Sequence, residues 1–295
     1  MAPFHCLTFL TDYGLEDAFV AVCHGVASQV APDLRIIDIT HLIPLGDIRR
    51  GAVVLAQAVP YFPAAVHVAV VDPGVGTARR AVAVQAGDSF FVGPDNGLLS
   101  VAVAASGGAA RAVSLTNRAL WRDSAAATFH GRDIFMPVAA RLAAGAPLDA
   151  AGDLVDVTSL VTLPPPDCRL AGGTAHLEVV TADRFGNLQL SLRGADAPRA
   201  GLVTGATVTI AWDGGEITAP FVRAFGDVEP GEVLCYLDSG DSVAVAVSGG
   251  DAARRLGLRA GAKVTLTARG GPVTGAAGDR SGPAGAAHHR LNVMK

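Results

Sequence analysis

The sequence predicts a doubly wound, Rossmann-like α/β domain followed by a smaller C-terminal all-β domain, a barrel or a sandwich. Three observations carry this. Up to about residue 160, apolar strand-like runs alternate with runs of helical spacing, the pattern of a sheet covered by helices. Pro164-Pro165-Pro166 then interrupts the chain. From Thr174 onward, short alternating strands recur with turn residues between them, as in antiparallel hairpins. The expected division is 1–165 for the α/β domain and 172–269 for the β domain. The Gly-, Ala-, Pro- and Ser-rich stretch 270–295 reads as a disordered tail.

Leu7–Leu10 is a short apolar strand that runs into the polar turn Thr11-Asp12-Tyr13-Gly14. From Glu16 to Val30, Phe19, Val22, Cys23, Val26 and Val30 share one helical stripe. Leu34–Ile39 reads as the second strand. Asp47 is placed to cap a helix that runs through Val59 and is stopped by Pro60. Val66–Val71, apolar on both faces apart from His67, suits a central strand of a parallel sheet. In the second domain, Thr207–Trp212 and Glu216–Ala219 flank Asp213-Gly214 as a hairpin, and Val233–Leu237, Val243–Val247 and Val264–Thr267 are further strands.

Composition excludes several classes. The chain has 295 residues and a net charge of −4, with two of its 23 basic residues lysines, so broad phosphate-backbone binding is not expected. Apolar stretches such as Ala52–Val59 are too short to span a bilayer, and the N-terminus lacks the basic and apolar regions of a secretory signal. The expected location is cytoplasmic. Cys6, Cys23, Cys168 and Cys235 contain no C-x-x-C pair and read as free thiols.

The familiar catalytic signatures fail. Gly74-x-Gly76 is followed by Arg79 where a dinucleotide-binding turn has its third glycine. There is no P-loop, no G-x-S-x-G and no H-E-x-x-H. His24, His41, His67 and His130 lack metal-ligand spacing, and no metal is expected. The polar turns after strands are the better candidates, because functional side chains of α/β sheets gather at strand carboxyl ends. Three such turns are Thr11–Gly14, Val71–Arg79 and Phe91–Gly97; a fourth loop, Thr128–Asp133, precedes a helix. Asp72, Arg79 and His130 supply a proton acceptor, a fixed cation and a titratable imidazole, a set able to orient and polarise water.

Six ordered runs carry a family resemblance: Leu10–Gly14, Asp38–His41, Val71–Thr77, Val92–Gly97, Thr128–Asp133 and Asp183–Asn187. Between about Leu7 and Leu266 the chain resembles the adenosine-forming S-adenosylmethionine hydrolases, or hydroxide adenosyltransferases, relatives of the S-adenosylmethionine-dependent fluorinase and chlorinase. The resemblance implies that Asp72, Arg79 and His130 are the water-activating triad, absent from the halogenating relatives. It puts Asp12 on the ribose hydroxyls, Asp183 on the methionine ammonium, Phe185 against adenine, Asn187 on the adenine edge and Ser239 on the methionine carboxylate. It implies a C-terminal barrel, no cofactor, and a homotrimer with sites between subunits. Gly46 departs from the pattern where relatives carry an aromatic, and Val243–Val247 lacks a glutamate common in hydrolase members. Three other readings stay open: a halogenase of the same fold, a non-catalytic protein binding S-adenosylmethionine or adenosine, and a metal-dependent hydrolase using His24, His41 and Asp72.

Overall fold

The apolar run near the N-terminus forms β1 (Cys6–Thr11), buried along its whole length. A computed structural model describes residues 4–269; the tail expected over 270–295 lies outside them. β1 pairs in parallel with β2 (Arg35–Thr40) on one side and β3 (Val66–Val70) on the other. β3 in turn pairs in parallel with β5 (Ser89–Pro94). β3 is therefore central and buried throughout, as its two-faced apolarity requires.

Helices cover both faces. α1 (Phe19–Val30) and α4 (Met136–Ala143) place Cys23, Ala27, Val138 and Leu142 against Phe9, Val66, Val68 and Val70. α2 (Ile48–Ala58) and α3 (Ser100–Ala105) place Leu55, Ala102 and Val103 against Leu10, Ala69 and Val71. The alternation of side chains along β3 thus feeds two apolar layers at once. Asp47 caps α2 as expected, its Oδ1 accepting from the Arg50 N–H at 2.9 Å. His67 is a packed histidine, 2.8 Å from Thr8 Oγ1.

The far half of this sheet is antiparallel. β4 (Ala81–Ala86) pairs antiparallel with β5, followed outward by β6 (Arg111–Ser114) and β7 (Asp153–Val155). The full order is β2-β1-β3-β5-β4-β6-β7. Only two residues, Gly87 and Asp88, join β4 to β5, and a link that short permits only an antiparallel hairpin.

The second sheet runs β12-β11-β15-β9-β10-β14-β13, with β8 beside β9. Its strands are β8 (Cys168–Ala171), β9 (Thr174–Ala182), β10 (Leu188–Arg193), β11 (Thr207–Trp212), β12 (Gly215–Pro220), β13 (Val233–Leu237), β14 (Ser242–Val247) and β15 (Lys263–Arg269). A bridge between Phe221 and Cys235 brings the two edges together, so the sheet is a nearly closed barrel around Leu177, Leu190, Ile210, Val245 and Leu266. The expected hairpin keeps its register from Thr207 opposite Pro220 to Trp212 opposite Gly215. The two sheets touch through α2, where Gln57 Nε2 donates to Gln189 Oε1 at 3.0 Å and Arg50 bonds Thr181 Oγ1.

Candidate active site

Asp72 leaves the carboxyl end of β3, and the next residues fold tightly back. The Val75 N–H donates to the Asp72 carbonyl at 3.1 Å, and Thr77 Oγ1 donates to the Gly74 carbonyl at 2.7 Å. This return delivers Arg79 onto Asp72. Arg79 Nε lies 2.9 Å from Oδ1 and 3.0 Å from Oδ2, and Nη2 also bonds Oδ2. Nη2 reaches His130 Nδ1 as well, at 2.8 Å. The Asp72 side chain is 5% exposed and its charge is met by the fork of one guanidinium. The guanidinium rests over the Phe135 ring, 5.3 Å from its centroid.

The three residues grouped by sequence are therefore together in space. The geometry also separates the roles of the two groups able to accept a proton, Asp72 and His130. An arginine only donates, so His130 Nδ1 must accept, and a neutral ring then carries its hydrogen on Nε2. Burial and the Arg79 charge lower the His130 pKa below its ordinary value, against the opposing pull of Asp72 and Asp133. His130 offers the site a donor, and Asp72 is the acceptor.

His130 is held in place by the segment on its C-terminal side. Gly131–Phe135 forms a single wide π-helical turn that leads into α4. Such turns are common at functional sites. Gly131 is required there, because a methyl on it would run into the Tyr13 hydroxyl. Asp133 is fully buried and accepts from Arg132 Nε at 2.7 Å, Arg122 Nη1 at 3.1 Å and the Ala126 N–H at 2.8 Å. Burial alone would raise its pKa, but these hydrogen bonds bring it below the usual carboxylate value. Asp133 pins the loop that bears His130.

Asp12 follows β1 on the next strand end. Its Oδ2 accepts from the Gly46 N–H at 2.9 Å, and Gly46 has φ +72°, a conformation glycine adopts without cost. The departure at Gly46 is thus a backbone donor to Asp12, and a Cβ there would stand in ordinary contact with Pro73 at 3.8 Å. Asp12, Tyr13, Gly46, Asp72, Phe129 and His130 line one cleft of about 760 Å³. Tyr13 and Phe129 were missed from sequence; the signal was an aromatic next to Asp12 and another next to His130. Their rings meet edge to face at 5.7 Å, and burial first, then Cys23, Asp12 and Asp72, pushes the Tyr13 phenol well above its ordinary pKa.

The remaining candidates lie elsewhere. Every residue lining the cleft falls between Asp12 and Arg132. Asp183, Phe185 and Asn187 sit in the turn between β9 and β10, where Asp183 Oδ1 accepts from the Phe185 and Asn187 N–H groups at 2.8 and 2.9 Å, and Oδ2 accepts from Asn187 Nδ2 at 2.7 Å. Phe185 is 73% exposed. Ser239 is exposed between β13 and β14. Ala244, at the second departure, is buried with Leu234 and Tyr236. The alternative metal trio does not form with Asp72, which is bonded to Arg79; His24 and His41 gather instead on Asp38.

Fold and site define an α/β protein of hydrolytic type, with an acceptor, a fixed cation and a neutral imidazole at the strand ends of its first sheet. The sequence profile of the SAM hydroxide adenosyltransferase N-terminal domain matches residues 7–152, and that of the corresponding C-terminal domain matches residues 177–265. The chain belongs to the SAM hydroxide adenosyltransferase family. A Salinispora tropica protein named (R)-S-adenosyl-L-methionine hydrolase is 55% identical, over 91% of this chain and all of that one. A crystal structure of an uncharacterized conserved protein from Thermotoga maritima superposes with a TM-score of 0.84 at 35% identity, covering 88% of this chain and 99% of that one. A fluorinase from an Actinoplanes species is more distant, at 26% identity over 88% of this chain and 97% of the other.

Proposed function

We propose that this chain hydrolyses S-adenosyl-L-methionine to adenosine and L-methionine, with the (R) sulfonium epimer as its substrate. The observation that carries this is the Asp72–Arg79–His130 constellation, whose Asp72 and His130 line one cleft with Asp12. The relatives' names, including the epimer, support the same reading.

The positive sulfur makes methionine a neutral leaving group, so displacement at ribose C5′ needs no metal or redox cofactor. The difficulty lies in bringing a hydrated, weakly nucleophilic water into line. That water donates one hydrogen to Asp72, accepts from His130 Nε2–H, and keeps a lone pair for C5′. As the C5′–O bond forms, the C5′–S bond breaks with its electron pair passing to sulfur, and the water proton goes to the Asp72 carboxylate. Arg79 fixes the carboxylate and the ring at once. Asp12, its Oδ2 already held by Gly46, receives the ribose hydroxyls. General-base assistance of this kind is worth about 10²–10⁴-fold.

The adenine and methionine groups of this reading, Asp183, Phe185, Asn187 and Ser239, come from a second copy in a homotrimer. Their separation from the cleft and the exposure of Phe185 support that arrangement. Residues 1–165 and 172–269 act as the two domains, each offering half of a site. We place the enzyme in the cytoplasm, in keeping with its unpaired cysteines; no described helix is long and apolar enough to cross a membrane.

The test is incubation of EDTA-treated enzyme with each resolved epimer, with and without chloride or fluoride, followed by chromatography. Equimolar adenosine and methionine, formed faster from the (R) epimer and independent of halide, is the expected result. A 5′-haloadenosine product in place of adenosine identifies a halogenase, and tight binding without turnover identifies a binding protein; either overturns the proposal.

A further inference from the structure

Behind the turn that carries Asp12, three side chains from two segments converge. His24 on α1 places Nε2 2.8 Å from Asp38 Oδ1 on β2, and His41, just after β2, places Nε2 3.1 Å from the same oxygen. The three ligand atoms all lie within 4.8 Å of one another. The approach of His41 to Asp38 lacks hydrogen-bond geometry, so this nitrogen is buried without a partner on a side chain 3% exposed. A buried polar atom with no partner carries a cost that a ligand would remove.

The other nitrogen of His41 is accounted for. Nδ1 lies 2.9 Å from Thr11 Oγ1, which itself accepts from the Tyr13 N–H at 3.1 Å. A hydroxyl oxygen has a second lone pair, which can accept Nδ1–H; in that tautomer the Nε2 lone pair faces His24 and Asp38. Metal-bound imidazoles are oriented in this way, by a hydrogen bond from the nitrogen that does not bind.

We propose that His24, Asp38 and His41 form a binding site for a divalent transition metal of the zinc class, separate from the reaction centre. Two imidazole nitrogens and one carboxylate oxygen suit zinc and its neighbours, whereas magnesium and calcium favour all-oxygen sets. His24 is 33% exposed and Asp38 40%, which leaves a solvent side for entry and for a water as fourth ligand. None of the three lines the cleft. The bound ion ties α1 to β2 and, through Thr11, steadies the turn from which Asp12 and Tyr13 enter the cleft.

Cobalt(II) titration of the metal-free full-length chain tests this, in a His288→Ala/His289→Ala background that removes the adjacent histidine pair near the C-terminus. The expected result is a visible d–d absorption band saturating at one cobalt per chain, displaced by zinc, with a rise in Tm on zinc addition. His24→Gln and Asp38→Asn, both at partly exposed positions, each weaken binding by at least about tenfold, and Thr11→Val weakens it by about 10–100-fold through loss of the orienting contact. His130→Gln leaves the band unchanged. Absence of stoichiometric cobalt binding reduces the trio to a hydrogen-bonded cluster and overturns the proposal. So does a band that survives His24→Gln and Asp38→Asn, or one that vanishes with His130→Gln.

Discussion

Asp72 accepts three hydrogen bonds from Arg79 and still keeps a lone pair for a water, because a carboxylate offers about four acceptor positions. Replacing it with Asn preserves the shape but removes the charge and leaves Arg79 unpaired. Asp72→Asn is expected to lower kcat by about 10²-fold or more while KM moves by less than about tenfold, since the lost interaction belongs mainly to the transition state. Steady-state kinetics on S-adenosyl-L-methionine check this; a near-normal kcat would make Asp72 a turn residue only. His130 gives a signed pH dependence. Its pKa is depressed in the folded protein, so the ring stays neutral and accepts from Arg79 down to pH 6.5. Activity is lost only as pH falls further and Nδ1 is protonated. The acid limb of kcat/KM should therefore titrate below 6.5, and a limb above that value would place the controlling group elsewhere. At this scale the triad and Asp12 were legible, because each lies in a short polar motif after an apolar strand. The direction of the Arg79–His130 hydrogen bond was not, since it depends on a contact between residues 51 apart. The His24–Asp38–His41 cluster was hidden for a similar reason: its members come from two elements and a turn, with no ligand spacing in sequence.

Among the elements, β3 and α2 translate most directly from sequence to energetics. On β3, burial lowers the His67 pKa from 6.5 to about 4. Above pH 6.5 both folded and unfolded chains hold the ring neutral. As pH falls from 6.5 towards 4 only the unfolded chain takes up the proton, so stability is lost over that window, by roughly 3 kcal/mol from this one residue. Urea titrations at pH 7 and pH 4 should show His67→Gln losing less stability than the parent by about that amount; an equal loss would show that His67 does not drive acid unfolding. On α2, Asp47→Ala removes the acceptor of the Arg50 N–H and should cost about 1 kcal/mol, read as a lower urea midpoint with unchanged slope. The cap was legible because Asp stands directly before the periodic run. The antiparallel half of the first sheet was less legible. Alternating strands and helices suggest a doubly wound sheet, yet Gly87-Asp88 between β4 and β5 is itself a hairpin signal, and Gly87 takes φ +53° there. The π turn at Gly131–Phe135 had no signal at all; it is set by tertiary contact with Tyr13 and by the ion pairs of Asp133.

For the whole molecule, the residues of the proposed site fall into two groups that one chain keeps apart, one lining the cleft and one on the barrel turn. The cleft is lined by the acceptor Asp72, the imidazole of His130 and Asp12, with Arg79 bonded to the first two, but nothing from the barrel lines it. The barrel turn has an exposed aromatic and an amide braced by Asp183, and none of the three lines that cleft. Sequence motifs expose both halves and say nothing of their distance, because order along a chain does not fix geometry between copies. If the halves meet across a ring of subunits, each site draws Asp72 from one chain and Asn187 from its neighbour. Asp72→Asn and Asn187→Ala homo-oligomers should then each be nearly inactive. Chains of the two variants, mixed in equal amounts and reassembled, form an intact site wherever an Asn187→Ala chain contributes the cleft and an Asp72→Asn chain contributes the barrel turn. Random assembly makes about a quarter of all sites intact in a closed ring, so adenosine production should recover to about a quarter of the parent rate. Were each site built within a single chain, every site in the mixture would carry one lesion, and the rate would stay at the level of the separate variants.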